Sequence, residues 1–188
     1  VTMVMAAWIG MFRDDLKSLL AFSTVSHLGL ITMLLGFGTE AAAVAAVFHI
    51  INHATFKASL FMTAGIIDHE AGTRSIRGLG GLRRLMPITF VIGTVTALSM
   101  AGVAPLNGFL SKEMMLQESS QMVWAGHPAL IVTMAAIGAV FSVCYSLRFI
   151  WQVFFGPERD DYPHHPHDPG FGMWGSPALL AVLVVLIG

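Results

Sequence analysis

A lysine in the middle of an apolar segment is the feature that most limits what this chain can fold into. Residues 41–67 are predominantly apolar and exceed the ~20 residues that a helix needs to cross a bilayer. Lys57 lies well inside this segment, where a charged side chain is costly and is by default a functional residue with a partner nearby. His49 and His53 precede it at four-residue intervals, so a helix would place all three on one face.

The composition is typical of a membrane protein. Hydrophobic residues make up 55% of the 188 residues and charged residues 11%, whereas soluble domains carry about 25% charge. The single cysteine, Cys144, excludes a disulfide framework and a cysteine zinc site. We find no nucleophile–base triad, no phosphate loop between a strand and a helix, and no basic face with aromatic residues. We therefore expect the lipid bilayer as a partner, no cofactor and no nucleic acid.

Both ends of the sequence lie in apolar segments. The chain begins at Val1 and closes at Gly188, inside a segment that has not yet spanned a bilayer. The first twelve residues lack the basic start of a signal peptide. We therefore expect an internal fragment of one membrane domain of a longer polytopic protein.

The apolar segments predict an all-α, polytopic bundle of transmembrane helices. One segment is too long for a straight helix and is interrupted near Pro105, which removes a backbone donor and disfavours helix at Ala104. Broken backbone at membrane depth needs protein or a water-filled cavity around it, and transporters use such breaks at ion sites. The predicted spans are 1–12 (partial), 18–37, 41–67, 87–122 (broken), 128–155 and 171–188 (partial).

The distribution of basic residues predicts the topology. The connections 13–17, 68–86 and 156–170 carry seven of the ten Lys and Arg residues. The alternate connections, 38–40 and 119–127, carry none. Because basic residues accumulate in cytoplasmic loops, the first three loops are predicted to be cytoplasmic.

Lys57 is the first candidate for proton translocation. Snorkelling to the interface explains a lysine near a helix end and explains one at mid-membrane poorly. A partly buried lysine can exchange protons, and histidine titrates near neutral pH, so His49 and His53 could connect Lys57 to water. The alternative is that both histidines are hydrogen-bonded packing residues.

Three further positions are candidates of the same kind. Lys112 follows the interruption and precedes Glu113, which could modulate its charge; a local surface ion pair is the alternative. Lys17 lies at a span end, where snorkelling is equally plausible, and His27 lies inside the same span. Arg148 is expected to be an anchor near the end of its span. Histidines in 164–168 could bind a metal, but a Pro-rich loop without a second ligand set argues against it.

Three long motifs resemble one known family. Residues 15–29 (DLKSLLAFSTVSHLG), 48–61 (FHIINHATFKASLF) and 98–113 (LSMAGVAPLNGFLSKE) resemble the tenth, eleventh and broken twelfth helices of the antiporter-like family. That family includes membrane-arm subunits of respiratory complex I and the A and D subunits of Mrp sodium/proton antiporters. Residues 68–74 (DHEAGTR) and 107–113 (NGFLSKE) are most similar to the Mrp A type.

The resemblance implies the second half of a 14-helix module with two inverted repeats, each containing a broken helix. It implies one component of an antiporter complex of several subunits in the bacterial inner membrane, which exchanges Na⁺ or K⁺ for protons and uses no redox cofactor. Lys57, Lys112 and the histidines would be the protonatable residues. A proton-pumping arm of NADH:quinone oxidoreductase or a membrane hydrogenase is the alternative, and a non-transporting scaffold is a third.

Overall fold

The computed structural model describes residues 1–159 and 161–188, and over these residues the secondary structure is helical without a named strand. This confirms the predicted all-α class. The helices are α1 (Thr2–Met11), α2 (Leu16–Leu35), α3 (Glu40–Ala71), α4 (Leu82–Leu85), α5 (Pro87–Ala101), α6 (Asn107–Gln121), α7 (Leu130–Ile150) and α8 (Phe171–Leu186). A 3₁₀ turn covers Ile76–Gly78, and a π-helical turn, Trp151–Phe155, extends α7.

Capping side chains set the start of the two helices that carry most of the candidate residues. The Asp15 carboxylate accepts from the Ser18 amide at 2.7 Å, and α2 therefore begins at Leu16, two residues before the predicted span. The Thr39 hydroxyl accepts from the Ala42 amide at 3.2 Å at the start of α3. Both residues belong to the side chains that helix N-termini prefer. Lys17 consequently lies in the first turn of α2 rather than in a loop.

α3 continues beyond the apolar segment that predicted it. Its last turn is polar and extends to Ala71, where Gly72 ends it with a left-handed φ of 69°. Glycine adopts this conformation without steric cost. Asp68 in this turn binds the Lys17 ammonium at 2.7 Å, so the longer helix gains a contact with α2.

The broken helix has the predicted order of helix, irregular segment and second helix. α5 starts at Pro87 and ends at Ala101, where Gly102 caps it with a φ of 88°, and α6 starts at Asn107. The first turn of α6 packs tightly on the end of α5: a Cβ on Gly108 would lie 1.9 Å from the Ser99 carbonyl oxygen. The Ser99 hydroxyl also donates to Asn107 Oδ1 at 2.6 Å.

The three loops predicted to share one face meet at one end of the bundle. Asp14 pairs with Arg77 at 2.7 Å and with Arg148 at 2.6 Å, which joins the first loop to the second and to the end of α7. Arg148 also donates to the Arg13 carbonyl at 2.8 Å, so it ties α7 to this end as an anchor would.

The third loop lies against the second. The Tyr162 hydroxyl donates to the Gly80 carbonyl at 2.6 Å, and Asp168 accepts from the Ile88 and Thr89 amides at the start of α5. Burial raises the pKa of Tyr162, which keeps its hydroxyl a neutral donor. The grouping of the loops is confirmed over the described residues; position 160, within the predicted loop 156–170, lies outside them. Their cytoplasmic location stays a prediction.

Two helical stretches among the described residues, Leu16–Leu35 and Leu130–Phe155, are long and apolar enough to cross a membrane by their composition. α3 is longer, but its inward face carries polar residues along much of its length. α2 and α6 pack on α3, and α7 packs on α6. The polar face of α3 is therefore enclosed by these helices.

Candidate functional site

The predicted stripe on α3 lies on one buried face. His49 is fully buried, and His53 and Lys57 are 8% and 4% exposed. Lys112 of α6 is also 8% exposed. The four-residue spacing therefore places three protonatable groups inside the bundle, and the break in the helix places a fourth.

His27 of α2 joins this stripe. Its Nδ1 lies 2.9 Å from His49 Nε2, and the two rings stack with centroids 5.2 Å apart. Its other nitrogen, Nε2, lies 3.2 Å from the hydroxyl of Tyr145 on α7. His49 Nδ1 in turn lies 2.9 Å from the Ser111 hydroxyl on α6. A hydrogen-bonded chain thus runs from α7 through α2 and α3 to α6.

Lys112 is held by neutral acceptors. Its ammonium donates to the carbonyls of Met100 and Ala101 at 2.6 and 3.0 Å and to the Ser142 hydroxyl at 2.8 Å. The two carbonyls belong to the last turn of α5, where the break leaves them without helical partners and where the helix dipole is negative. In the described part of the chain no carboxylate forms an ion pair with Lys112.

Lys57 is held in the same way on the other side of the site. Its ammonium donates to the Ser23 hydroxyl and to the Leu20 carbonyl of α2, the latter at 3.3 Å. Ser23 lies one helical turn before His27, so Lys57 is bound next to the histidines. Its charge also has no carboxylate partner among the described residues.

His53 lies between Lys57 and the other two histidines. Its ring centroid is 5.1 Å from that of His27 and 5.9 Å from that of His49. Its Nε2 is buried and has no hydrogen-bond partner among the described residues. Buried nitrogens are rarely left without a partner. His27 and His49 use both of their ring nitrogens, whereas His53 can form a further hydrogen bond through Nε2.

Two asparagines fix the broken helix against the stripe. Asn52 of α3 donates to the Asn107 carbonyl at 3.1 Å, and the Asn107 amide donates back to Asn52 Oδ1 at 3.2 Å. Both side chains are fully buried. This reciprocal pair holds the start of α6 in place, and with it Ser111 and Lys112 one turn later.

Two of the predicted site residues lie apart from this cluster. Lys17 binds Asp68 at the loop end of the bundle, with side chains 40% and 31% exposed. Glu113 is exposed on α6 and lines a groove of about 690 Å³ that Lys112 also lines. The structure therefore brings together Lys57, Lys112, His27, His49 and His53, and the roles of Lys17 and Glu113 stay predictions.

Four hydroxyl-bearing residues of the site were missed by the sequence reasoning: Ser23, Ser111, Ser142 and Tyr145. All are less than 3% exposed. One sequence pattern could have indicated two of them: Ser142, Tyr145 and Ser146 share one side of an otherwise apolar helix. A cavity of about 20 Å³ lies beside Lys112, His27, Ser142 and Tyr145.

The histidine-rich loop packs on the end of α3. His167 Nδ1 lies 3.3 Å from Glu70, and His69 contacts the same carboxylate at 3.0 Å. No group of three or more metal-ligating side chains occurs in the part of the chain that the structure describes.

Together, the fold and the site define a helical membrane domain built around buried, hydrogen-bonded lysines and histidines beside a broken helix. Residues 1–142 match the family described as the transmembrane domain of NADH:quinone oxidoreductase and Mrp antiporters, and the chain belongs to this family. The predicted resemblance and the membrane location are thereby confirmed.

Three similar proteins are antiporter subunits or belong to an Mrp complex. Over its whole length the chain is 53% identical to the A/B subunit of a probable K⁺/H⁺ antiporter of Rhizobium meliloti and 43% identical to the A1 subunit of a Na⁺/H⁺ antiporter of Staphylococcus saprophyticus. It is 40% identical to a chain of the Mrp complex from Dietzia, with a TM-score of 0.88. The chain spans 19%, 26% and 20% of these proteins, respectively.

Proposed function

We propose that this chain is part of the A-type subunit of an antiporter complex that exchanges a monovalent cation, Na⁺ or K⁺, for protons. The proton-motive force drives the exchange, and the other subunits of the complex are its partners. The names of the two curated relatives support this class, because both are antiporter subunits of the A type.

The observation that carries the proposal is that both buried lysines, within the described part of the chain, bind carbonyl and hydroxyl groups instead of carboxylates. A carboxylate partner would stabilise the ammonium and retain its proton. Neutral acceptors bind an ammonium but also tolerate the neutral amine, so the lysine can release its proton. Two such charges repel each other strongly in a low-dielectric interior, so a proton that arrives at one favours release from the other.

The remaining residues supply the connections in this mechanism. His49, His53 and His27 lie between the two lysines and accept or donate protons through either ring nitrogen. Lys17 is proposed to exchange protons with the cytoplasmic end, where it pairs with Asp68. Glu113 is proposed to receive protons from Lys112 at the groove that both residues line.

A redox-driven proton pump is the second candidate, because the family description covers NADH:quinone oxidoreductase as well as Mrp antiporters. Such a complex would use the same buried residues but would move protons only during electron transfer. Genes for small membrane subunits beside the gene for this chain favour the antiporter, and genes for iron–sulfur or flavin subunits favour the pump. A scaffold without transport predicts that loss of both lysines leaves exchange intact.

Exchange in everted vesicles that contain the full complex tests the proposal. A pH-sensitive dye reports proton release when NaCl or KCl is added to energised vesicles. Lys112→Ala is expected to abolish the cation-induced signal, whereas Arg84→Ala, which removes an exposed cation at the loop end, is expected to retain it. Unchanged exchange by Lys112→Ala would refute the site, and absence of a cation-induced signal in the wild type would favour the redox pump.

A further inference from the structure

We propose that the Tyr145 hydroxyl carries protons between Lys112 and His27; the inference rests on the proposed function and adds a residue of α7 to it. Tyr145 is fully buried. Its hydroxyl lies 3.2 Å from His27 Nε2, and Tyr145 lines a small cavity together with Ser142 and Lys112. Ser142 Oγ lies 2.8 Å from the Lys112 ammonium. Tyr145 is therefore one hydrogen bond from the histidine, and it shares a cavity with the lysine and with the lysine's partner Ser142.

The hydrogen bonds around His27 can all point in one direction. If Tyr145 donates to His27 Nε2, then His27 Nδ1–H donates to His49 Nε2, and His49 Nδ1–H donates to the Ser111 hydroxyl. Ser111 in turn lies 3.4 Å from the Asn107 carbonyl, which accepts its proton. Each neutral imidazole then donates once and accepts once, as its chemistry requires.

Ser142 has two alternative acceptors for its own proton. It donates to the Met100 carbonyl at 2.8 Å, and the Lys112 ammonium donates to the same carbonyl at 2.6 Å. The second acceptor in the proposed relay is Tyr145, which follows Ser142 by three residues on α7 and lines the same cavity. Rotation of the Ser142 hydroxyl from Met100 to Tyr145 thus connects Lys112 to the histidines, and the reverse rotation disconnects them.

The transfer conserves protons at both hydroxyls. Lys112 gives a proton to Ser142 Oγ as the Ser142 proton passes to Tyr145 Oη and the Tyr145 proton passes to His27 Nε2. Three bonds to hydrogen break and three form, so Lys112 ends neutral and His27 ends as the imidazolium. Both hydroxyls regain their protons and must rotate before the next transfer.

The cavity of about 20 Å³ beside these residues offers a parallel route past Ser142. It is lined by His27, Lys112, Ser142 and Tyr145 and has room for about one water molecule. A water at this position would have polar partners on several sides. We therefore expect Ser142→Ala to slow transfer less than Tyr145→Phe.

Tyr145→Phe in the full-length protein within its complex tests the inference, because it removes only the hydroxyl and retains the ring in the core. Cation-driven proton exchange in everted vesicles is expected to fall by at least about tenfold across the working pH range. Tyr162→Phe is the matched control, since this tyrosine binds Gly80 at the loop end; it should retain the wild-type rate.

A second measurement separates proton transfer from packing. The wild-type rate should fall when H₂O is replaced by D₂O. Tyr145→Phe should change the size of this solvent isotope effect, because a different proton transfer then limits the rate of exchange. Wild-type exchange by Tyr145→Phe at every pH, or a lower rate with an unchanged isotope effect, overturns the inference.

Lys112→Ala distinguishes the two proposals. If Lys112→Ala is inactive and Tyr145→Phe exchanges normally, the hydroxyl relay is wrong and the proposed function stands. If Lys112→Ala exchanges at the wild-type rate, the proposed proton site is wrong, and the relay through Tyr145 is wrong as well.

Discussion

The three lysines of this chain lie in two contrasting environments. Lys17, at the loop end, is half-exposed and pairs with the Asp68 carboxylate at 2.7 Å. Lys57 and Lys112 are buried and bind only hydroxyl and carbonyl oxygens among the described residues. The same side chain is thus neutralised by an opposite charge at one end of the bundle and solvated by neutral dipoles in its interior.

The difference indicates what each region is built to do. Ion pairs between Asp14, Arg77 and Arg148 link loops and helix ends that are distant in sequence, so the charges at the loop end have partners of opposite sign. The interior has the opposite property. Its cations lack counter-ions among the described residues. We propose that their charge can therefore be removed by proton loss, with the neighbouring histidines as acceptors; His27 lines the same small cavity as Lys112.

Removal of both interior lysines should have the largest effect. Lys57→Met and Lys112→Met together eliminate the two protonatable amines while retaining much of their volume. We expect cation-driven proton exchange in vesicles to fall below detection, with the complex still assembled on a native gel. Exchange at even a substantial fraction of the wild-type rate would show that the interior lysines only pack helices.

Gly108→Ala should damage the interior by displacing the broken helix. The added methyl would lie 1.9 Å from the Ser99 carbonyl oxygen, so the start of α6 must move. Overpacking of this kind typically costs about 1–3 kcal/mol, and a lower melting temperature of the purified complex would report it. Gly65→Ala on α3 is the control, because its methyl would meet no atom within 4 Å. Equal melting temperatures for the two variants would contradict the tight contact.

His27→Leu should interrupt the chain of hydrogen bonds without removing a lysine. Tyr145 and His49 would both lose their shared partner. We expect exchange to fall by about tenfold, because His53 and water leave other connections. The control is His69→Leu, whose side chain is 71% exposed at the loop end. A rate for His27→Leu equal to that of His69→Leu would place His27 among packing residues.

Asp14→Asn should have the smallest effect, since it perturbs only the loop end. The carboxylate is 34% exposed and holds Arg77 and Arg148. Partly exposed ion pairs contribute about 0.2–1 kcal/mol each, so a small decrease in melting temperature is expected, largest at low salt. Exchange by the assembled complex should change little. A large loss of exchange at unchanged stability would show that the loop end and the interior work as one region.

Sequence reasoning could place the helices and the stripe because both leave local patterns. The apolar segments predicted α2, α3 and α7 to within a few residues, and Pro105 with its neighbouring glycines predicted the interruption between α5 and α6. Helical spacing put Lys57 on the same face as the two histidines. The end of α3 was placed too early, because the polar residues 68–70 suggested a loop, although Lys17 binds Asp68 there.

The cross-helix contacts could not be predicted in the same way. His27 and Tyr145 are 118 positions apart, and neither spacing nor hydropathy shows that their side chains meet. Ser111 and Ser142 carry no special sequence signal, because a serine in a helix can also donate to the preceding turn of its own helix. The presence of a serine therefore does not show a contact with another helix. Their place in the site depends on how α6 and α7 pack, which only the structure shows.

Lys112→Arg tests the central claim most directly. Arginine keeps a positive charge and hydrogen-bond donors at this position, but it stays protonated at every working pH. If proton release from Lys112 is required, cation-driven proton exchange by Lys112→Arg will be as low as that of Lys112→Ala. If Lys112→Arg exchanges like the wild type, a fixed positive charge is sufficient, and the role of Lys112 as a proton carrier is contradicted.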